Sequence, residues 1–108
     1  MQRYGQVIRI KPEHIEEYES LHRAAWPEVL AMIRECNIRN YSIYRYDHLL
    51  FAYFEYDGAD FDADMEAVAE DPITQQWWRL TDPCQEPMPD AVAQGSRWTT
   101  MEQVFLME

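Results

Sequence analysis

The apolar and polar positions change rhythm along the chain, and each change falls at a proline or a turn residue. From Tyr4 to Ile10 they alternate, with Val7 on one face and Gln6, Ile8 and Ile10 on the other, which predicts a strand. Pro12 suits a first helical turn, and Glu13, Glu16 and Glu17 follow where they complement the helix dipole. Ile15, Tyr18, Leu21 and His22 then recur at three and four residues and make one helical face. Pro27 disfavours a helical residue before it, so the helix must break or kink near Trp26. A second helix, from Pro27 to about Glu35, carries Val29, Leu30 and Ile33 on its apolar side.

Ile38 to Tyr46 is rich in β-branched and aromatic residues and predicts a second strand. Asp47 and His48 turn into a third, Leu49 to Tyr56. Helices are predicted from Asp60 to Ala69 and from Pro72 through Leu80. "DPCQEPMPDAVAQGS", with three prolines and a glycine, predicts a loop, and a last strand closes the chain with "TTMEQVFLM". The order is β-α-β-β-α-β, an α+β, ferredoxin-like pattern with an antiparallel sheet, in one domain over residues 1–108. On the third strand Leu49, Phe51 and Tyr53 share one face, while Leu50, Ala52, Phe54 and Tyr56 share the other. Helices of this fold cover a single face, so the second apolar face needs another cover. The expectation is a homodimer built sheet against sheet.

Composition narrows the function. The 47% apolar content is enough for one core in a chain of 108 residues. Nine Lys and Arg among twenty acids give a net charge of −11 and form no basic stripe, which argues against nucleic acid and anionic membranes as partners. The N-terminus lacks an apolar signal-peptide core and no stretch approaches membrane-span length, so the expected location is cytoplasmic. Cys36 and Cys84 show no CxxC spacing and read as ordinary thiols of a reducing compartment. The three glycines form no phosphate-cradling pattern. His14, His22 and His48 have no metal-ligand spacing, and "DFDAD" lacks the glycine of a calcium loop, so neither metal nor cofactor is expected.

Three places can carry chemistry. Tyr18 and His22 are spaced i, i+4 and lie together on the first helix. They read either as a hydrogen-bonded structural pair or as a proton-transfer pair, since histidine titrates near neutrality. Trp77 and Trp78 are adjacent and point about 100° apart, so they read either as plain packing or as one indole packed inside with the other bordering a pocket or interface. Asn40 and Tyr41 sit next to each other in a strand. They read either as a plain strand pair, which the residues alone favour, or as a pair of which one looks into the cavity under the helices and the other to the dimer side.

With these residues in place, the chain resembles the L-rhamnose mutarotase family over nearly its whole length. The resemblance is carried by "EEYESLHRAAWPEV" (Glu16 to Val29), "NYSIY" (Asn40 to Tyr44), "LLFAYFE" (Leu49 to Glu55), "QQWWRLTD" (Gln75 to Asp82) and "MEQVF" (Met101 to Phe105). It implies a dimeric α/β-barrel and a metal-free isomerase that interconverts the α and β anomers of a pyranose. It also implies that His22 is the proton donor and that Tyr18, Tyr41, Trp77 and Trp78 bind the sugar. Two segments depart from the family pattern, "GADFDADMEAVAEDPIT" and "CQEPMPDAVAQGSRW", and either can border the sugar. The alternatives are a monooxygenase or haem-degrading enzyme on the same dimeric barrel, and a sugar-binding dimer without turnover.

Overall fold

The computed structural model describes residues 1–108. Its elements are β1 (Gln2–Ile10), α1 (Ile15–Arg23), α2 (Pro27–Glu35), β2 (Ile38–Tyr46), β3 (Leu49–Tyr56), α3 (Phe61–Glu70), α4 (Pro72–Thr81), β4 (Gln85–Glu86), α5 (Pro89–Ala93) and β5 (Thr99–Met101), with 3₁₀ turns at Pro12–His14 and Asp82–Cys84. The sheet runs β2-β3-β1-β4 and is antiparallel, and β5 shares the β1 edge with β4. This is the ferredoxin-like order expected from the hydropathy pattern.

The helix joints follow the prolines. Backbone φ and ψ of −69° and 129° put Trp26 in the extended region, so α1 ends at Arg23 and α2 begins at Pro27. Asn37, with φ of 69°, stops α2 in a left-handed conformation that asparagine tolerates. Asp60 caps α3 by accepting a hydrogen bond from the Ala63 amide at 3.1 Å, which gives the first aspartate of "DFDAD" a structural role. Asp71 closes α3 and caps α4, accepting from both the amide and the hydroxyl of buried Thr74 at 2.9 and 2.8 Å.

Burial on β3 alternates without a break. Leu50, Ala52, Phe54 and Tyr56 are buried under the helices, and Leu49, Phe51, Tyr53 and Glu55 are half-buried on the open face. Under the helices Ile8, Ile10, Tyr18, Leu50 and Cys84 form one cluster, while Ile38, Phe54 and Tyr56 form a second, packed with Tyr4, Ile33 and Phe61.

Two expectations need correction. The Pro-rich stretch is not plain loop, since it holds a 3₁₀ turn, the two residues of β4 and the five-residue α5. The closing strand ends at Met101, and residues 102–108 enter neither helix nor strand. The fourth strand position of the fold is thus split into two short pieces, with residues 87–98 inserted between them.

Candidate functional site

Tyr18 and His22 line an open cleft of about 320 Å³ between α1 and the β2–β3 hairpin, with Glu19, Ile43, Arg45 and Leu50 among its walls. Their rings lie 4.2 Å apart, as the i, i+4 spacing requires. His22 Nδ1 is 2.8 Å from the backbone carbonyl of Tyr18. A carbonyl only accepts, so Nδ1 carries a proton and donates it, and Nε2 is the nitrogen left for chemistry. Burial holds the His22 pKa below its usual value, outweighing the carbonyl bond that favours the charged form. Near neutral pH the ring is therefore an uncharged imidazole with a free Nε2 lone pair.

Trp77 is buried and meets the His22 ring edge-on at 5.3 Å, with Trp26 at 5.3 Å on another side. The proline joint at Trp26–Pro27 therefore seats the indole that backs the histidine. Trp78 turns outward, 37% exposed, into a groove with Gln75, Arg79, Asp82 and Pro83. The structure joins Trp77 to His22 and leaves Trp78 on a separate groove that shares no wall residue with the His22 cleft. The divergence of the two indoles follows from their adjacency on a helix.

Tyr41 is set by a feature that alternation does not contain. Between Arg39 and Ser42 the β2–β3 register shifts, so Asn40 and Tyr41 together oppose Phe54, and Asn40 takes φ of 51°. The bulge sends the Asn40 amide to the open face, where it donates to Glu55 at 2.8 Å. It sends the Tyr41 ring to the helix side, 5.6 Å from Phe54. Although Tyr41 is 43% exposed as a residue, its hydroxyl end is desolvated, which pushes its pKa up to about 12. Tyr41 is close enough to Tyr18 to raise the pKa of that hydroxyl further, burial being the larger cause. Both phenols stay protonated and act through hydrogen bonds.

Spacing in the sequence could not reveal two further groups. The Tyr18 hydroxyl accepts a hydrogen bond at 3.1 Å from Gln85, which is buried at the start of β4, 67 residues away in sequence. Arg97, from the segment before β5, bonds in turn to Gln85 and Asp82. At the start of α1, ligand atoms of His14, Glu17 and Cys84 lie within 4.8 Å of one another, a set that can hold a cation. Burial pushes the Cys84 thiol up to about 11, and it donates to the Leu80 carbonyl at 3.6 Å.

A family model described as L-rhamnose mutarotase matches residues 3–107. The chain belongs to the L-rhamnose mutarotase family. Among its relatives, the L-rhamnose mutarotase of Klebsiella pneumoniae strain 342 is 34% identical over 103 residues, covering 94% of this chain and 93% of that one. That of Phocaeicola vulgatus is 35% identical over 92 residues, covering 83% and 86%. The crystal structure of an L-rhamnose mutarotase from Formosa agariphila superposes with a TM-score of 0.78 at 22% identity, covering both chains completely. Tetracenomycin F2 cyclase from Streptomyces glaucescens shares the fold at 15% identity, with a TM-score of 0.68 and coverage of 100% and 98%. Family membership and fold are thus fixed.

Proposed function

We propose that this chain is a sugar mutarotase that interconverts the α and β anomers of L-rhamnose or a related pyranose by acid–base catalysed ring opening. The observation that carries the reading is the His22 imidazole. It is neutral, pinned through Nδ1 so that Nε2 is the nitrogen left for proton exchange, backed by Trp77, and on the wall of the cleft that Tyr18 also lines. Opening a hemiacetal ring moves one proton from the anomeric oxygen to the ring oxygen. Both oxygens are bonded to C1, so one correctly placed nitrogen reaches both. Nε2 takes the proton from the anomeric hydroxyl and, as imidazolium, donates it to the departing ring oxygen. The open aldehyde turns about C1–C2, and the same steps run backwards close the ring on its other face. No redox change occurs, so no cofactor is invoked. The Tyr18 and Tyr41 hydroxyls hold sugar oxygens, and Trp77 and Trp78 complete the sugar site from α4.

The working unit in this proposal is one domain, residues 1–108, associated as a homodimer through the open sheet face. Supporting that face as an interface are half-buried Val7, Leu49, Phe51 and Tyr53 and exposed Tyr44 and Tyr46. Saturation-transfer NMR over L-rhamnose, L-mannose, L-lyxose, L-fucose and D-sugars tests the activity. Exchange accelerated for L-rhamnose or a close stereochemical relative, and lowered about 10² to 10⁴-fold by His22→Ala, is expected. A flat panel at high enzyme concentration, or full exchange in the variant, refutes it.

A further inference from the structure

The direction in which the Tyr18 hydroxyl proton points is set by a chain of hydrogen bonds that begins outside the cleft. Arg97 carries only donors, and it gives two of them to the side-chain oxygen of Gln85, from Nε at 3.3 Å and Nη2 at 3.2 Å. The same guanidinium is anchored on Asp82, through the backbone carbonyl at 2.9 Å and the carboxylate at 3.3 Å. The Gln85 amide therefore has one allowed orientation, because a flip would set its NH₂ against the guanidinium. Its Nε2 faces Tyr18 and must donate to the phenol oxygen, 3.1 Å away. A phenol oxygen that accepts there keeps its own proton for another partner, and Tyr18 lines the cleft beside His22.

We propose that Gln85 and Arg97 are positioning residues: they fix Tyr18 as a hydrogen-bond donor toward a sugar oxygen, opposite in sense to the neutral, accepting Nε2 of His22. The cleft then offers one donor and one acceptor at fixed places, which matches a reaction that takes a proton from one oxygen while another gains one. This inference rests on the mutarotase reading. It also gives the inserted segment between β4 and β5 a task, since that segment supplies Arg97.

Gln85→Glu separates this role from a structural one. The side chain keeps its size, and its carboxylate pairs with Arg97 at least as well as the amide does. It can only accept from Tyr18, so the hydroxyl proton turns away from the cleft. The expected result is a thermal midpoint at or above that of the parent, with kcat for anomer exchange lowered at least tenfold, on the order of one lost preorganised donor. In a Tyr18→Phe background the same substitution should change exchange by less than about twofold, because the group it acts through is gone. Arg97→Met, at a partly exposed position, frees the amide to flip and should show a smaller loss with the same dependence on Tyr18. With ¹³C-labelled tyrosine, the Tyr18 Cζ resonance should lie downfield in Gln85→Glu of its position in the parent. The proposal is overturned if Gln85→Glu exchanges anomers at the parent rate, or if it loses as much in the Tyr18→Phe background. Parent protein that exchanges no sugar overturns the mutarotase reading instead, and the Cζ shift still reports the hydrogen-bond direction.

Discussion

A histidine whose Nδ1 proton is held by the Tyr18 carbonyl at 2.8 Å can exchange protons only through Nε2. Burial lowers the pKa of His22, so the neutral form that can take the first proton persists to lower pH than in a solvated histidine. The expected exchange rate is flat above neutrality and falls on an acid limb with its midpoint below about 6.5, the ordinary histidine value. A pH series of exchange rates on L-rhamnose checks this, and a rate that rises on acidification would show imidazolium to be the starting form. Stability follows the same sign. The folded pKa lies below the unfolded one, so the contribution of neutral His22 is complete above about 6.5 and is lost as pH falls through the folded value. Urea midpoints of the parent should fall between those limits, and a His22→Gln variant should remove this part of the decline. The i, i+4 spacing made the Tyr18–His22 pair legible in the sequence. It could not distinguish donor from acceptor, because Gln85 and the Tyr18 carbonyl settle that, one through tertiary contact and the other through the side-chain rotamer.

At the level of elements, α4 carries Trp77 to the histidine, and its first turn depends on one side chain. Asp71 accepts from the amide and hydroxyl of Thr74, which is 1% exposed, so removing the carboxylate strands two donors, the hydroxyl deep in the core. Asp71→Ala should cost about 2 kcal/mol, the upper end for a lost N-cap, while Asp71→Ser should recover most of it. Denaturant titration of the pair measures the difference, and equal stability of parent and alanine variant would refute the assignment. Helices α1 to α4 and the first three strands were readable from the sequence because prolines or a capping aspartate mark the helix starts and the 2.0 and 3.6 periods are clean, whereas the five residues of α5 are too few to show a period. The bulge at Asn40–Tyr41 was not, since the strand pattern continues through it and a left-handed asparagine leaves no mark in hydropathy. The split fourth strand was hidden for a different reason. Two paired residues inside a proline-rich run are too few to show a period, and β1 alone recruits them.

For the whole molecule, the unsolved surface is the open face of the sheet. Register sets Tyr44 beside Phe51, Tyr46 beside Leu49 and Gly5 beside Met101, so apolar groups run across it from edge to edge. Beyond β5 the chain adds Val104 and Phe105, 91% and 78% exposed. Apolar surface of this extent on an isolated chain is costly in water, and a second copy offers the same pattern in return. Association also has to overcome charge, because each chain brings a net −11. Apolar contact strengthens with salting-out while repulsion is screened, so the proposed dimer should tighten as sodium chloride rises, opposite to an assembly held by ion pairs. Sedimentation velocity at low and moderate salt should show about twice the 13.0 kDa chain mass, with the smaller species growing only as salt is removed. Phe51→Lys places a cation on an inner strand of the proposed self-complementary interface, where it meets apolar groups of the other copy. The expected outcome is a folded chain at the single-chain mass. Its His22 cleft, which opens between α1 and the β2–β3 hairpin, should still bind sugar. If Phe51→Lys sediments like the parent, the open face is not where two copies meet.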